Sequence, residues 1–330
     1  MELHVRKSPG LRNDLLLVME RAEIEETLLH IANRAGLMDL PGLTRHLPYQ
    51  DSQQRARVNA LKIPVEEHLR EMRVEGEPLV GPEGRPRRRV IVIGCRNLGN
   101  NHGAVAWQAE GDPKLFHVQG DPLSLPSYPC LVSARDRQLS IRDLRFESDR
   151  VLERHADVSA LVSWCAFGSP VLRDGAVVSI EDVLEQFTDV RQVLAFVREL
   201  PLGQKIEAEV LQGYPEAFRD NVLRVLRAGV PRQRFLHNAV GLSRDKVFVL
   251  QREGTPEEVG HCLRKAEATD GLILDNGGSV FCWAWWPHQA GGFLFSAPDF
   301  RPRGSAIVAF VLKGPASTDL PGGSASFTVV

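Results

Sequence analysis

The chain of 330 residues is 43% hydrophobic and 25% charged, a globular balance that excludes general disorder. Its formal net charge of −2 gives no overall electrostatic case for nucleic acid as a partner. The apolar run Ala306–Leu312 is too short to span a bilayer, so no membrane partner is expected.

In chain order, the start MELHVRKSPGLRNDLLLVMERAEIEE offers only Leu15–Met19 as an apolar piece before charges resume. No secretory signal is read there, and a cytoplasmic protein is expected. Apolar spacing from Leu11 to Gly36 predicts a helix, with Asn13 or Asp14 as cap and Gly36 as stop. A second helix is predicted over Gln53–Met72, interrupted at Pro64, which has no backbone N–H to donate. Arg73–Val90 is rich in Gly, Pro and charge and reads as a linker or surface excursion. Its basic run Arg85, Arg87, Arg88 and Arg89 lacks interleaved aromatic residues, which favours a solvated linker over nucleic-acid contact.

From Val90 the pattern turns to strands, first VIVIG and then pieces around Leu131, Leu161 and Val171. Helices are predicted over Ile180–Leu200 and Pro215–Ala228, and a third over Pro256–Thr269 between strands Val247–Gln251 and Leu272–Leu274. After Asp275 the chain reads mostly as strand, at Val280–Trp286, Phe293–Phe295 and Ala306–Leu312, with a short strand at the end near Phe327. The expected class is α+β: a mixed, largely antiparallel sheet with packed helices, plus an N-terminal helical segment. The expected division is a helical segment 1–85 followed by a main domain 86–330. Five scattered cysteines contain no C-x-x-C pair, so reduced buried thiols are expected. No ligand spacing calls for a metal, and no cofactor is expected.

The stretch GLILDNGGSVFCWAWW (Gly271–Trp286) concentrates the candidate chemistry. No lysine follows Gly277-Gly278 and no helix opens there, so neither a P-loop nor a dinucleotide-binding loop fits. Two accounts stay open. Asn276-Gly277 favours a type I′ turn, which would make the stretch a hairpin. Alternatively Asp275 projects into a cleft whose ligand approaches the bare amides of Gly277 and Gly278, with Ser279 adding a hydroxyl. Trp283 and Trp285 share a strand face by alternation, either as sheet core or as a sugar-stacking surface.

The segment from Asp270 to Gly314 resembles the C-terminal motif region of the phosphodiester glycosidase family. Members read Asp-Gly-Gly-Gly-Ser at a strand end, followed by an Arg-Pro pair before a final apolar strand. Asp275, Gly277, Gly278, Ser279, Arg301 and Pro302 fit that pattern. Upstream, FGSPVLRDGAVVS matches the family's Gly-Gly-Pro and Asp-Gly at Gly168, Pro170, Asp174 and Gly175. RFLHNAVGLSRDKVFVLQREG is similar to its Arg-Thr-Ala-Ile-Gly strand and hairpin, at Ala239 and Gly241. The chain departs from the pattern at Asn276, where members have Gly, and at His237-Asn238, where they have Arg-Thr. RNLGNNHG (Arg96–Gly103) is a poor counterpart of the family's early Asn-Gly-Gly-Phe-Phe segment.

The resemblance implies a hydrolase that cleaves a small-molecule sugar phosphodiester or glycoconjugate and leaves a phosphomonoester. It implies Asp275 as base or electrostatic stabiliser and Arg301 as phosphate clamp, with Asn238, Asn276, Gly277, Gly278 and Ser279 at the substrate. His237 is placed as proton carrier or phosphate ligand, or as a structural strand histidine. Arg301 has a surface ion pair as its plainer alternative. The competing expectation is a catalytically inactive sugar- or phosphate-binding protein on the same scaffold, and a hydrolase acting on another phosphoester or glycoside is a third.

Overall fold

The computed structural model describes residues 2–6, 14–31, 63–95, 104–109, 115–117, 127–147, 150–179, 235–276, 280–285, 293–296, 303–304, 306–314 and 327–329. The first elements are β1 (Glu2–Arg6), β2 (Asp14–Glu20) and β3 (Ile24–Ile31). A second block holds β4 (Ile63–Pro64), helix α1 (Val65–Glu71), β5 (Arg73–Val74), β6 (Glu77–Pro78) and β7 (Arg89–Gly94). Next come β8 (Ala104–Gln108), β9 (Leu115–His117), β10 (Tyr128–Ala134), β11 (Leu139–Glu147) and β12 (Arg150–Glu153). They are followed by β13 (Ala156–Asp157), β14 (Val162–Phe167), β15 (Ser169–Arg173) and β16 (Ala176–Val177). The C-terminal part has β17 (Phe235–Leu242), β18 (Lys246–Gly254), helix α2 (Pro256–Lys265), β19 (Asp270–Asn276) and β20 (Phe281–Trp285). It ends with β21 (Phe293–Ser296), β22 (Arg303–Gly304), β23 (Ala306–Leu312) and β24 (Phe327–Val329).

Among the described residues these strands form three main sheets. The eight-stranded sheet runs β16-β15-β19-β17-β18-β2-β1-β24, and the seven-stranded sheet runs β13-β12-β11-β10-β14-β8-β9. The five-stranded sheet runs β21-β20-β7-β23-β3. The pairings along the eight-stranded sheet are antiparallel except β1 with β24.

The α+β expectation with packed helices is therefore overturned. Among the described residues there are two α-helices, of 7 and 10 residues, against a scaffold of antiparallel strands. Within the helix expected over Leu11–Gly36, the described residues form β2 and β3 instead, so the N-terminal segment is not helical there. The reason is visible in β2. Leu15, Leu17 and Met19 are fully buried on one face, while Leu16 and Val18 pack on the other. A run of Leu, Val and Met that is covered on both faces lacks the helical period and needs a neighbour on each edge, which β18 and β1 supply.

Helix α1 occupies only the part of the predicted Gln53–Met72 helix after Pro64; residues 53–62 lie outside the described residues. The helices expected over Ile180–Leu200 and Pro215–Ala228 also lie outside them. Arg73–Val90 is more than a linker. Glu75 (φ 52°) and Gly76 (φ 84°) turn the β5–β6 hairpin, and Val74, Leu79 and Val80 are buried under the five-stranded sheet.

Helix α2 begins where its sequence dictates. The Thr255 hydroxyl accepts from the Glu258 amide, the Glu258 carboxylate accepts from the Thr255 amide, and Pro256 takes the first turn. The helix lies on the outer face of the eight-stranded sheet, over Val171, Leu172, Ala239, Phe248 and Ile273. Close approach depends on Gly260, where a Cβ would stand 2.3 Å from the Val171 carbonyl oxygen.

The largest core lies on the opposite, inner face. There Leu15, Leu17, Val240, Val249, Leu272 and Leu274 of the eight-stranded sheet share one apolar cluster with Ile91, Ile93, Cys282, Val308 and Phe310 of the five-stranded sheet. Leu131, Trp164 and Ala166 bring the seven-stranded sheet into the same cluster. The Trp164 indole N–H donates to the Thr27 carbonyl at 2.9 Å, which satisfies part of the open edge of β3.

Candidate functional site

The stretch that concentrated the sequence signals is not a hairpin. Strand β19 pairs with β15 and β17 in the eight-stranded sheet, whereas β20 pairs with β7 and β21 in the five-stranded sheet. The chain between Asn276 and Val280 therefore crosses from one sheet to the other, at one end of the inner core. Gly277, Gly278 and Ser279 in that crossing lie outside the described residues, as does Arg301.

Near its end β19 carries an irregularity that decides where Asp275 points. Asn238 of β17 stands opposite Asp275, and Ala239 stands opposite Ile273, so Leu274 is an extra residue. A bulge of this kind re-aims the side chain that follows it. Leu272 and Leu274 face the inner core and Ile273 faces helix α2. Simple alternation from Ile273 would also send Asp275 outward; the extra residue turns it inward.

The result is a row across four strands on the inner face: Leu15, Gln251, Asn238 and Asp275 stand opposite one another in register. Leu15 belongs to the apolar core, and the other three form a buried polar row at its end. Asn238 is 0% exposed, Gln251 3% and Asp275 5%. The Gln251 amide donates to Asn238 Oδ1 at 3.1 Å, and Asn238 Nδ2 donates to the Phe281 carbonyl at 2.6 Å. That second bond crosses from β17 to β20 and ties the two sheets together.

Opposite the row are the ends of β7 and β20. A Cβ at Gly94 would lie 2.9 Å from the Phe281 ring, so glycine leaves that ring its place, and it would touch Asp275 Oδ2 at an ordinary 3.4 Å. Cys95 follows directly. Its burial, and secondarily the charge of Asp275, push the thiol well above its ordinary range. Burial likewise pushes Cys282 up to about 12. Both sulfurs stay protonated, which suits structural thiols and not nucleophiles.

His237 does not join this row. It precedes Asn238 on an extended strand, so its side chain takes the opposite face. There it is fully buried, and Nε2 donates to the Gly254 carbonyl at 2.9 Å, one residue before the cap of helix α2. Burial lowers its pKa to about 4, with the Gly254 bond opposing in part. A neutral imidazole tying β17 to the β18–α2 corner is a structural histidine. Asn276 pairs with His237 through the backbone, and Asn238 has both ends of its amide engaged within the protein.

Trp283 and Trp285 stack with ring centroids 4.9 Å apart on the outer face of β20. Trp285 is 9% exposed, and both rings belong with Val65, Leu69 and Met72 of the α1 segment, which covers them. They are sheet core.

Gln251 is the residue that motif reasoning passed over. Its signal was available: in the strand KVFVLQREG the inward positions run Val247, Val249, Gln251, so a polar side chain sits where alternation demands an apolar one. Among the described residues no three His, Cys, Asp or Glu side chains gather as a metal site. An open cleft of about 710 Å³ lies elsewhere, between the β5–β6 hairpin and the end of β23, lined by Glu25, Leu79, Arg87, Arg88 and Lys313. Its two arginines face acids, Arg88 on Glu25 and Arg87 at 3.5 Å from Glu77, so two of the four arginines of the basic run are paired in place. Chemistry and cavity do not coincide here, and the polar row is the stronger candidate because it places a carboxylate beside the inter-sheet crossing.

No protein-family model and no curated protein matches the chain. Among solved structures it is similar to the catalytic domain of zebrafish N-acetylglucosamine-1-phosphodiester alpha-N-acetylglucosaminidase, auto-inhibited by its pro-peptide. The identity is 13% and the TM-score 0.49, covering 94% of this chain and 82% of that one. It is also similar to a hypothetical protein from Synechocystis, at 11% identity and a TM-score of 0.40, covering 94% of this chain and 61% of the other. At such identities the likeness assigns no residue a role.

Proposed function

We propose that the chain is a glycoside hydrolase that releases a sugar from a sugar-1-phosphodiester and leaves a phosphomonoester. The observation that carries this reading is the bulge that turns Asp275 into the polar row at the inter-sheet crossing, on a sequence whose motif order resembles that of phosphodiester glycosidases. Breaking a glycosidic bond develops positive charge at the anomeric carbon, and a carboxylate next to that carbon stabilises it. Phosphate is a good leaving group and needs little protonation, so one acid can suffice without His237. Asp275 takes the role of stabiliser or base. Arg301 grips the phosphate through two parallel N–H bonds, and the Gly277 and Gly278 amides, Asn276 and Ser279 bind substrate oxygens. Asn238 moves from substrate contact to holding the site together.

The test is turnover of a panel of chromogenic sugar-1-phosphodiesters by the full chain, beside Asp275→Asn and Arg301→Lys. Wild-type release of sugar that Asp275→Asn abolishes, with a raised KM for Arg301→Lys, is the expected result. The near-complete burial of Asp275 favours one other reading, a binding protein on the same scaffold. Saturable binding of the panel without product would select it.

A further inference from the structure

Asn238 is held in one orientation by the chemistry of its neighbours. A backbone carbonyl only accepts, so the Phe281 oxygen, 2.6 Å away, requires the NH₂ end of the Asn238 amide. The carbonyl end of that amide then faces β18, where it needs a donor, and Gln251 Nε2 supplies one at 3.1 Å. Gln251 is itself 3% exposed, so water does not take its place. Asn238 stands opposite Asp275 in register, and Phe281 stands beside the carboxylate at Gly94.

We propose that Gln251 is a positioning residue of this site: by fixing the polarity of Asn238 it ties the start of β20 to β17, and so sets the distance between Asp275 and the β7–β20 end it faces. The functional weight of the strap rests on Asp275 being the working carboxylate, whereas its mechanical role does not. Position 251 must therefore hold a donor. A polar or similarly sized side chain is not enough. Glutamate has the shape of glutamine but, when ionised, accepts only. It would draw the Asn238 NH₂ towards itself and leave two carbonyl oxygens facing each other at Phe281. Methionine keeps volume but leaves Asn238 Oδ1 without its donor.

Amide hydrogen exchange at the start of β20, read on the full-length chain, decides the matter. At about pH 9, where even a glutamate raised by burial is ionised, Gln251→Glu speeds exchange there about tenfold or more over wild type at the same pH, and Gln251→Met does so to a smaller extent. Near about pH 5, where a buried glutamic acid takes up its proton and becomes a donor, Gln251→Glu returns towards wild type measured at the same pH, and Gln251→Met does not. His237 titrates in both backgrounds and cancels in that comparison. Wild-type-like exchange in Gln251→Glu at about pH 9, or equal effects of the two variants without acid rescue, would overturn the strap and leave only packing. Turnover is scored separately: a strap confirmed by exchange in a chain that hydrolyses no sugar phosphodiester removes the proposed reaction and not the strap.

Discussion

The two faces of the β17–β19 pair carry opposite kinds of construction. On the outer face, Ala239, Ile273 and the neighbouring Phe248 pack under helix α2, glycine brings the backbones close, and the buried His237 is held neutral. On the inner face the apolar core stops at a row of Gln251, Asn238 and Asp275, where a nearly buried carboxylate stands in register with two amides that hydrogen-bond each other. Burying polar groups costs stability unless their hydrogen bonds are remade, so a scaffold alone would have ended in leucine or valine, as Leu15 does at the far end of that row. On the proposed reading the outer face is scaffold and the inner face carries the chemistry.

The sharpest way to break that assignment is Asp275→Asn. The variant keeps shape while removing charge and replacing one acceptor oxygen by a donor NH₂, so kcat for sugar release falls by roughly 10³-fold or more while the melting temperature stays near wild type. If activity is untouched and stability collapses, the inner row is scaffold too. Steady-state kinetics alongside thermal denaturation separates the two.

The next largest effect belongs to the outer face and to pH. His237 has a folded pKa of about 4 against 6.5 for a free histidine, so on acidification the unfolded chain binds the proton first. Its contribution is fully present above about pH 6.5 and is lost as pH falls towards 4, by at most roughly 3 kcal/mol. His30, also lowered by burial, acts in the same direction. His237→Gln flattens the stability profile across that window, as read by urea denaturation at several pH values. An unchanged slope would show that His237 is not the titrating group.

Gly260→Ala tests the packing of the same face. Its methyl group would meet the Val171 carbonyl oxygen, a backbone atom that cannot rotate away. A loss of about 1–3 kcal/mol in urea unfolding is expected, with kcat per folded molecule preserved.

These contrasts also explain what was legible in the sequence. VIVIG, Val247–Gln251 and AIVAFVL read as strands because β-branched runs admit little else, and the helix beginning at Pro256 starts where the sequence predicts it. The composition of Asp14–Glu20 misled: in DLLLVME the leucines, methionine and glutamate favour a helix locally, and only the neighbours β1 and β18 make it a strand. Asp275 could be singled out by its glycine-rich surroundings. That it shares a face with Asn238 and not with His237 could not, because the extra residue at Leu274 exists only in the register between two strands. The crossing from one sheet to another was equally hidden, since Asn276-Gly277 is a strong local signal for a turn between paired strands.

The smallest effect tests the outer face of the other sheet. Trp283 and Trp285 lie stacked beneath the α1 segment, and among the described residues neither indole N–H finds an acceptor. Trp283→Phe therefore forfeits no hydrogen bond and keeps an aromatic ring against Trp285. It gives up part of the stacked area, for about 0.5–1.5 kcal/mol. A tryptophan that stacked on a sugar would behave otherwise, because its loss would raise KM for the sugar phosphodiester while leaving unfolding almost unchanged. The two measurements move in opposite senses under the two accounts. A drop in unfolding free energy with KM constant places the ring in the core, and restricts recognition to the polar row on the inner side.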